Sequence, residues 1–155
     1  MPSPLLEGTW EELLMRLGLA TLVGLLLGLD RELRGHDAGL RTHALVALSS
    51  AMITVSSMLL FDDLREHGAT PDPLRVVQGL AQAIGFIAAG LIFVRRGDVK
   101  NMTTAANIWM AAAAGIVAGA GQYRLLVIGS AIALLLLVGL RMFEKGPEVK
   151  KKESE

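Results

Sequence analysis

LLVIGSAIALLLLVGL, residues 125–140, decides the fold class: wound as a helix it is apolar on every face, with no polar stripe to turn toward water. Followed to Phe143, it is the last of five comparable runs, Leu13–Leu29, Ala44–Phe61, Val76–Val94, Ala105–Gly121 and Leu125–Phe143. Each has 17–19 residues, at the short end of the roughly 17–25 that cross a bilayer. Polar insertions are few: Arg16, Gln78, Gln82, Asn107 and Arg141. Arg16 and Arg141 sit near span ends, where they are expected to snorkel to the headgroups.

Composition agrees. Of 155 residues, 52% are hydrophobic and 19% charged, with mean hydropathy +0.49; a soluble domain runs at about 45–50% apolar and 25% charged. The formal charge is zero, so no global basic field points to nucleic acid. Cysteine is absent, which excludes disulfides, thiolate metal sites and cysteine nucleophiles. Glu7, Glu11 and Glu12 precede the first basic residue, Arg16. A signal peptide carries a basic n-region instead, so the first run is expected to stay as a helix. The expectation is an all-α polytopic bundle of five transmembrane helices over residues 13–143, after an extracytoplasmic segment (1–12) and before a disordered, charged tail (144–155).

Basic residues orient the chain. Arg31, Arg34, Arg41, Arg95, Arg96, Lys100 and the five after Leu140 lie on one side; Arg16, Arg65, Arg75 and Arg124 lie on the other. Eleven against four places the N-terminus outside, with both polar hinges and the C-terminus in the cytoplasm. These hinges are DRELRGHDAGLRTH (30–43) and RRGDVKNMTT (95–104).

Small residues forecast the packing. Ala20, Gly24 and Gly28 form a small-xxx-small ladder, and Ala81, Gly85 and Ala89 repeat it on the third span; such residues let helix backbones touch where lipid supplies no hydrophobic drive. GFIAAG (Gly85–Gly90) has no strand before it and reads as packing rather than as a phosphate loop. The ladders are expected to serve intramolecular packing, with a homodimer as the alternative. The fourth span, nearly all Ala and Gly beyond its start, is expected at the centre.

A shift of 62 residues aligns Gly28-Leu29 with Gly90-Leu91, Arg34-Gly35 with Arg96-Gly97, and Thr42 and Ala44 with Thr104 and Ala106. These are six identities in 17 positions. They suggest two parallel helix–hinge–helix repeats plus a fifth helix, which would set the two hinges side by side.

The hinges therefore form the candidate site: Asp30, Arg31, Glu32, Arg34, Arg41, Thr42, His43, Arg95, Arg96, Thr103, Thr104 and Asn107. Every hinge carboxylate has an Arg or Lys within three residues, which favours ion pairs over a metal site. His36 and His43 lack a zinc spacing. No nucleophile–base pair or cofactor fingerprint occurs, so neither catalysis nor a cofactor is expected. Arg41 is expected at the centre, paired with Asp30 or Glu32, and Thr42 is expected to cap the second span. Helix N-termini near Thr42 and Thr104, among so many cations, could seat an anion such as a lipid phosphate or an acidic partner segment. Positive-inside retention accounts for the same arginines.

GLDRELRG (28–35), AGLRTHALVALSSA (38–51), AIGFIAAGLIF (83–93) and MTTAANIWMAAAAGIVAGAGQY (102–123) together resemble the membrane domain of the MgtC/SapB family. The family pattern has Glu where Asp30 stands, Gly where Ala88 stands, and Gly-Leu in place of Asn101-Met102. Many members continue into a cytoplasmic ACT-like domain, where here a charged tail follows. The resemblance implies a bacterial inner-membrane protein of adaptation to low magnesium and, in pathogens, virulence. It also implies regulation of other membrane proteins, ATP synthase among them; transport of Mg²⁺ or another small solute is the alternative.

Overall fold

Thr9 opens the first helix: its Oγ1 accepts from the Glu12 N–H at 3.4 Å, and Glu11 and Glu12 place negative charge in the first turn. The computed structural model describes residues 9–36, 38–95 and 98–139. In chain order these form α1 (Trp10–Glu32), α2 (Leu40–Glu66), α3 (Leu74–Leu91), β1 (Phe93–Arg95), β2 (Asp98–Lys100), α4 (Met102–Gly119) and α5 (Tyr123–Gly139). The fold is an all-α bundle. Helices α1 to α4 are each long and apolar enough to cross a membrane, and the 17 described residues of α5 are shorter but the most apolar of all. Arg96, Arg141 and the 144–155 tail lie outside the described residues.

Two boundaries differ from expectation. The first hinge is half helical, because α1 runs on through Arg31 and Glu32 and α2 starts at Leu40. The second hinge is an antiparallel hairpin, with Val94 opposite Val99; a pair of three-residue strands carries too short an alternation to be read in advance. The 62-residue offset survives in one respect. Gly39 and Asn101 are the N-caps of α2 and α4, and neither caps its helix with a side chain.

Helix α4 packs against α1, α2, α3 and α5, and its buried face is Ala105, Ile108, Ala111, Ala112, Ala114 and Ala118. Close approach centres on α2. A Cβ on Gly24 would lie 2.7 Å from the His43 carbonyl oxygen and 2.9 Å from the Ala47 Cβ, and one on Gly28 would lie 2.8 Å from the Leu40 Cα. From the other side, Gly115 abuts the Ala47 carbonyl, and a Cβ on Gly119 would fall 2.7 Å from that of Ala51. Thus α1 and α4 grip successive turns of α2 through glycines and meet at Ala47.

Helix α3 turns a different face inward than its ladder suggests. Leu80, Ile84 and Ala88 are buried, Ala89 is exposed, and a Cβ on Gly90 would meet nothing within 4 Å. Gly85 lies at the edge, with its added Cβ 3.5 Å from the Trp109 ring. The physical reason is complementarity: α4 already supplies Ala112, so α3 brings Ile84 to fill the space beside Ile108. Leu22, Leu26, Ile53, Phe86, Val127 and Leu135 remain exposed, as a lipid-facing surface requires.

At the end opposite the hinges, Arg16 does not snorkel outward. It is buried, donates from Nη1 to the Gly119 carbonyl at 2.8 Å and from Nε to Glu12 at 3.0 Å, and pairs with Glu12 through Nη2. Helix α4 ends there in a Schellman turn, with Gly121 at φ 71° and bonds from Gly121 N to Ala118 O and Gln122 N to Val117 O. The last carbonyls of a helix need donors, and Arg16 satisfies one of them.

Candidate functional site at the hinge end

Three helix ends converge where α1 finishes and α2 and α4 begin. On α1, Ala20, Val23, Gly24, Leu27 and Gly28 form the buried face, and Arg31 continues it one turn on. Arg31 is accordingly only 5% exposed, and its Nη2 is hydrogen-bonded to the Thr104 hydroxyl of α4. Its Nε is buried without a partner. Asp30 and Arg34 are directed away and pair along the helix, Nε to Oδ1 at 3.1 Å and Nη2 to Oδ1 at 2.5 Å.

Glu32 reaches across the turn, and its Oε2 accepts from the Leu40 N–H at 3.0 Å. A carboxylate thus caps α2, in place of the Thr42 hydroxyl expected there. Thr42 is the third residue of the helix, past the capping position. Gly39 makes room for this contact, since a Cβ there would collide with the Glu32 carboxylate. Arg41 is exposed, and the acids expected beside it engage Arg34 and the Leu40 N–H. Among the described side chains of the hinge end, Arg31 rather than Arg41 is the buried cation. The signal was present in the inward spacing of residues 24, 27, 28 and 31, but it becomes visible only once α1 continues past Leu29.

Beneath these ends lies a buried polar lock. His43 is fully buried; its Nδ1 lies 2.8 Å from the Gly39 carbonyl and its Nε2 lies 3.0 Å from the Asn107 Nδ2. The same Asn107 nitrogen donates to the Leu27 carbonyl at 3.0 Å. The geometry requires the Nδ1–H tautomer, leaving Nε2 to accept from the amide. Asn107 therefore spends both N–H groups, one on α1 and one on α2, and ties them to α4.

Helix α4 begins differently from α2. Asn101 has φ 64°, in the left-handed region that asparagine tolerates, and its Nδ2 turns away to the Leu91 carbonyl at 3.2 Å. Thr103 is exposed and Thr104 buried. Arg31, His36, Lys100, Asn101, Thr103 and Thr104 line a cleft of about 220 Å³ at this N-terminus. Arg95 is placed in β1 by its backbone. Among the described residues no group of three or more His, Asp or Glu side chains is placed to hold a metal ion.

The sequence pattern of the MgtC family matches residues 17–146. The chain is 41% identical over 128 residues to the Escherichia coli K12 protein named "Putative magnesium transporter YhiD", covering 81% of this chain and 59% of that one. Protein SrpB of Synechococcus elongatus is 40% identical over 147 residues, 90% of this chain and 80% of its own. Protein MgtC of Brucella abortus is 36% identical over 121 residues, 78% and 46% respectively. The chain thus spans about half to three-fifths of YhiD and MgtC, and more of SrpB. No solved structure matches.

Proposed function

The chain belongs to the MgtC family, and from that premise we propose that it is an inner-membrane regulatory protein of adaptation to low magnesium. It acts on other membrane proteins, ATP synthase being the candidate partner. The basic-residue asymmetry supports an N-terminus outside and both hinges in the cytoplasm, which makes the hinge end the acting end of this reading.

One observation carries the choice of a regulator: the buried side chains of Asn107 and His43 are spent on each other and on the backbone. A transporter keeps polar side chains along a path for solute. Asn107 and His43 instead bond to each other and to the backbone carbonyls of Leu27 and Gly39, which fixes three helices relative to one another. Gln78 and Gln82, the other amide side chains within the spans, are exposed on α3 away from its packed face.

Transport of Mg²⁺ is the second reading, and the name of the YhiD relative favours it. Two measurements separate them. Full-length protein in liposomes loaded with a magnesium-sensitive dye is expected to give no flux above empty liposomes. Affinity purification from membranes of cells grown in limiting magnesium is expected to retain ATP synthase. Saturable flux without a retained partner overturns the regulator in favour of the transporter.

A further inference from the structure

Helices α2 and α4 start 62 residues apart, at Leu40 and Met102, on N-caps that supply no side-chain bond. At α2 the exposed N–H groups are met by an internal anion, the Glu32 carboxylate at 3.0 Å from the Leu40 nitrogen. At α4 the position equivalent to Glu32 is Val94, and Asn101, the N-cap residue, makes no side-chain bond to the helix. The α4 N-terminus opens instead into the cleft lined by Arg31, Lys100 and the two threonines.

We infer that this cleft binds an oxyanion of the phosphate class, seated on the first N–H groups of α4 and held by Arg31. Two independent observations support it. The first is the helix N-terminus, whose Met102, Thr103 and Thr104 amides precede the first helical bond, from Ala105 N to Asn101 O at 2.9 Å. The second is Arg31, 5% exposed, lining the cleft with a buried Nε that has no partner. A buried guanidinium N–H without an acceptor is costly, and an oxyanion removes that cost through a charge-assisted bond. The described lining supplies two cations, two hydroxyls and no carboxylate, which favours an anion over a metal ion. A phosphate group also matches the forked donors of Arg. Its source is either free inorganic phosphate or the headgroup of an anionic lipid, since the cleft lies at a helix end where chain meets headgroup.

This deepens the assignment of the hinge as the acting end, but it is tested by binding to purified protein. Its failure would therefore leave the growth phenotype and the partner of the proposed function untouched. Inorganic phosphate is titrated into the full chain in a zwitterionic detergent and followed by calorimetry. In parallel, the chain is placed in nanodiscs of zwitterionic lipid doped with phosphatidic acid, and retained lipid is read by native mass spectrometry. Arg31→Gln is expected to weaken binding on the order of tenfold or more, given what hydrogen bonds to charged groups contribute, and Lys100→Gln by a smaller factor. Lys100 is exposed on the hairpin, so its variant keeps the test decisive should Arg31→Gln fail to fold. Saturable binding of inorganic phosphate, weakened in the variants, supports the site with a free anion as ligand. Retention of phosphatidic acid alone, weakened in the same variants, supports it with a lipid as ligand. Binding of neither probe to the wild type, or binding unchanged in both variants, overturns it.

Discussion

The side-chain amide of Asn107 donates to the Nε2 of His43 at 3.0 Å, across the contact between α4 and α2 and wholly inside the bundle. Because the same nitrogen also reaches the Leu27 carbonyl at 3.0 Å, one residue joins three helices. An asparagine placed in an otherwise apolar interior is costly unless both N–H groups are used, and here both are.

Asn107→Ala strands the His43 Nε2 and takes a second donor from the Leu27 carbonyl, which lies within α1. Interhelical side-chain bonds in membranes contribute about 0.6 kcal/mol on average and up to about 1.7, and an abandoned buried partner adds about 1–3 kcal/mol. Thermal unfolding in detergent is expected to fall clearly for Asn107→Ala and for His43→Ala. The double variant should fall by less than the sum of the two, since each removes the other's partner. Additive losses would mean that the bond contributes nothing.

The glycine grip on Ala47 gives a second expectation. Gly24→Leu and Gly115→Leu insert side chains where the α2 backbone already stands, so both are expected to reduce folded protein in membranes severely. Gly90→Leu, with nothing within 4 Å of its added Cβ, is expected to be tolerated. The check is membrane abundance together with monodispersity on size exclusion.

Those three glycines also mark what was legible in the sequence. Small-xxx-small spacing located Gly24 and Gly28 on α1, because a backbone contact demands missing side chains and the spacing names the face. The same pattern on α3 pointed one residue away from the face that packs. There the partner helix, not α3, supplies the small residues, and a single helix cannot record what its neighbour brings. Helix existence followed from hydropathy alone. Helix ends did not: Arg31 and Glu32 look like a polar hinge, yet they have inward partners in Thr104 and the Leu40 N–H. Those partners are distant in sequence or set by the turn, so the expectation of Arg41 as the centre rested on charge without geometry.

Arg16 yields a prediction at the opposite end. Arg16→Gln leaves the Gly119 carbonyl without its guanidinium donor and Glu12 without its cation, and is expected to cost about 1–3 kcal/mol in unfolding. Glu12→Gln is expected to cost less, because Glu12 is partly water-accessible and its pair is screened. Equal tolerance of both variants in a detergent melt would reduce Arg16 to an interfacial anchor.

Orientation has its own check. Reporter fusions at Gly68 and after Lys152 are expected to read opposite sides of the membrane, Gly68 outside and the C-terminal site in the cytoplasm. The same side for both would remove the five-span topology and with it the cytoplasmic hinge.

The central claim is that the hinge end acts through buried Arg31 rather than through the surface charge around it. Arg31→Lys keeps the charge but loses the planar fork that meets Thr104 and the cleft, whereas Arg41 is exposed at the start of α2. The most direct measurement is growth in limiting magnesium of cells carrying Arg31→Lys or Arg41→Lys as the sole copy, with membrane abundance of each variant determined in parallel. The account predicts that Arg31→Lys, present at normal abundance, fails to support growth while Arg41→Lys matches the wild type. Growth of Arg31→Lys indistinguishable from wild type at normal abundance would contradict it.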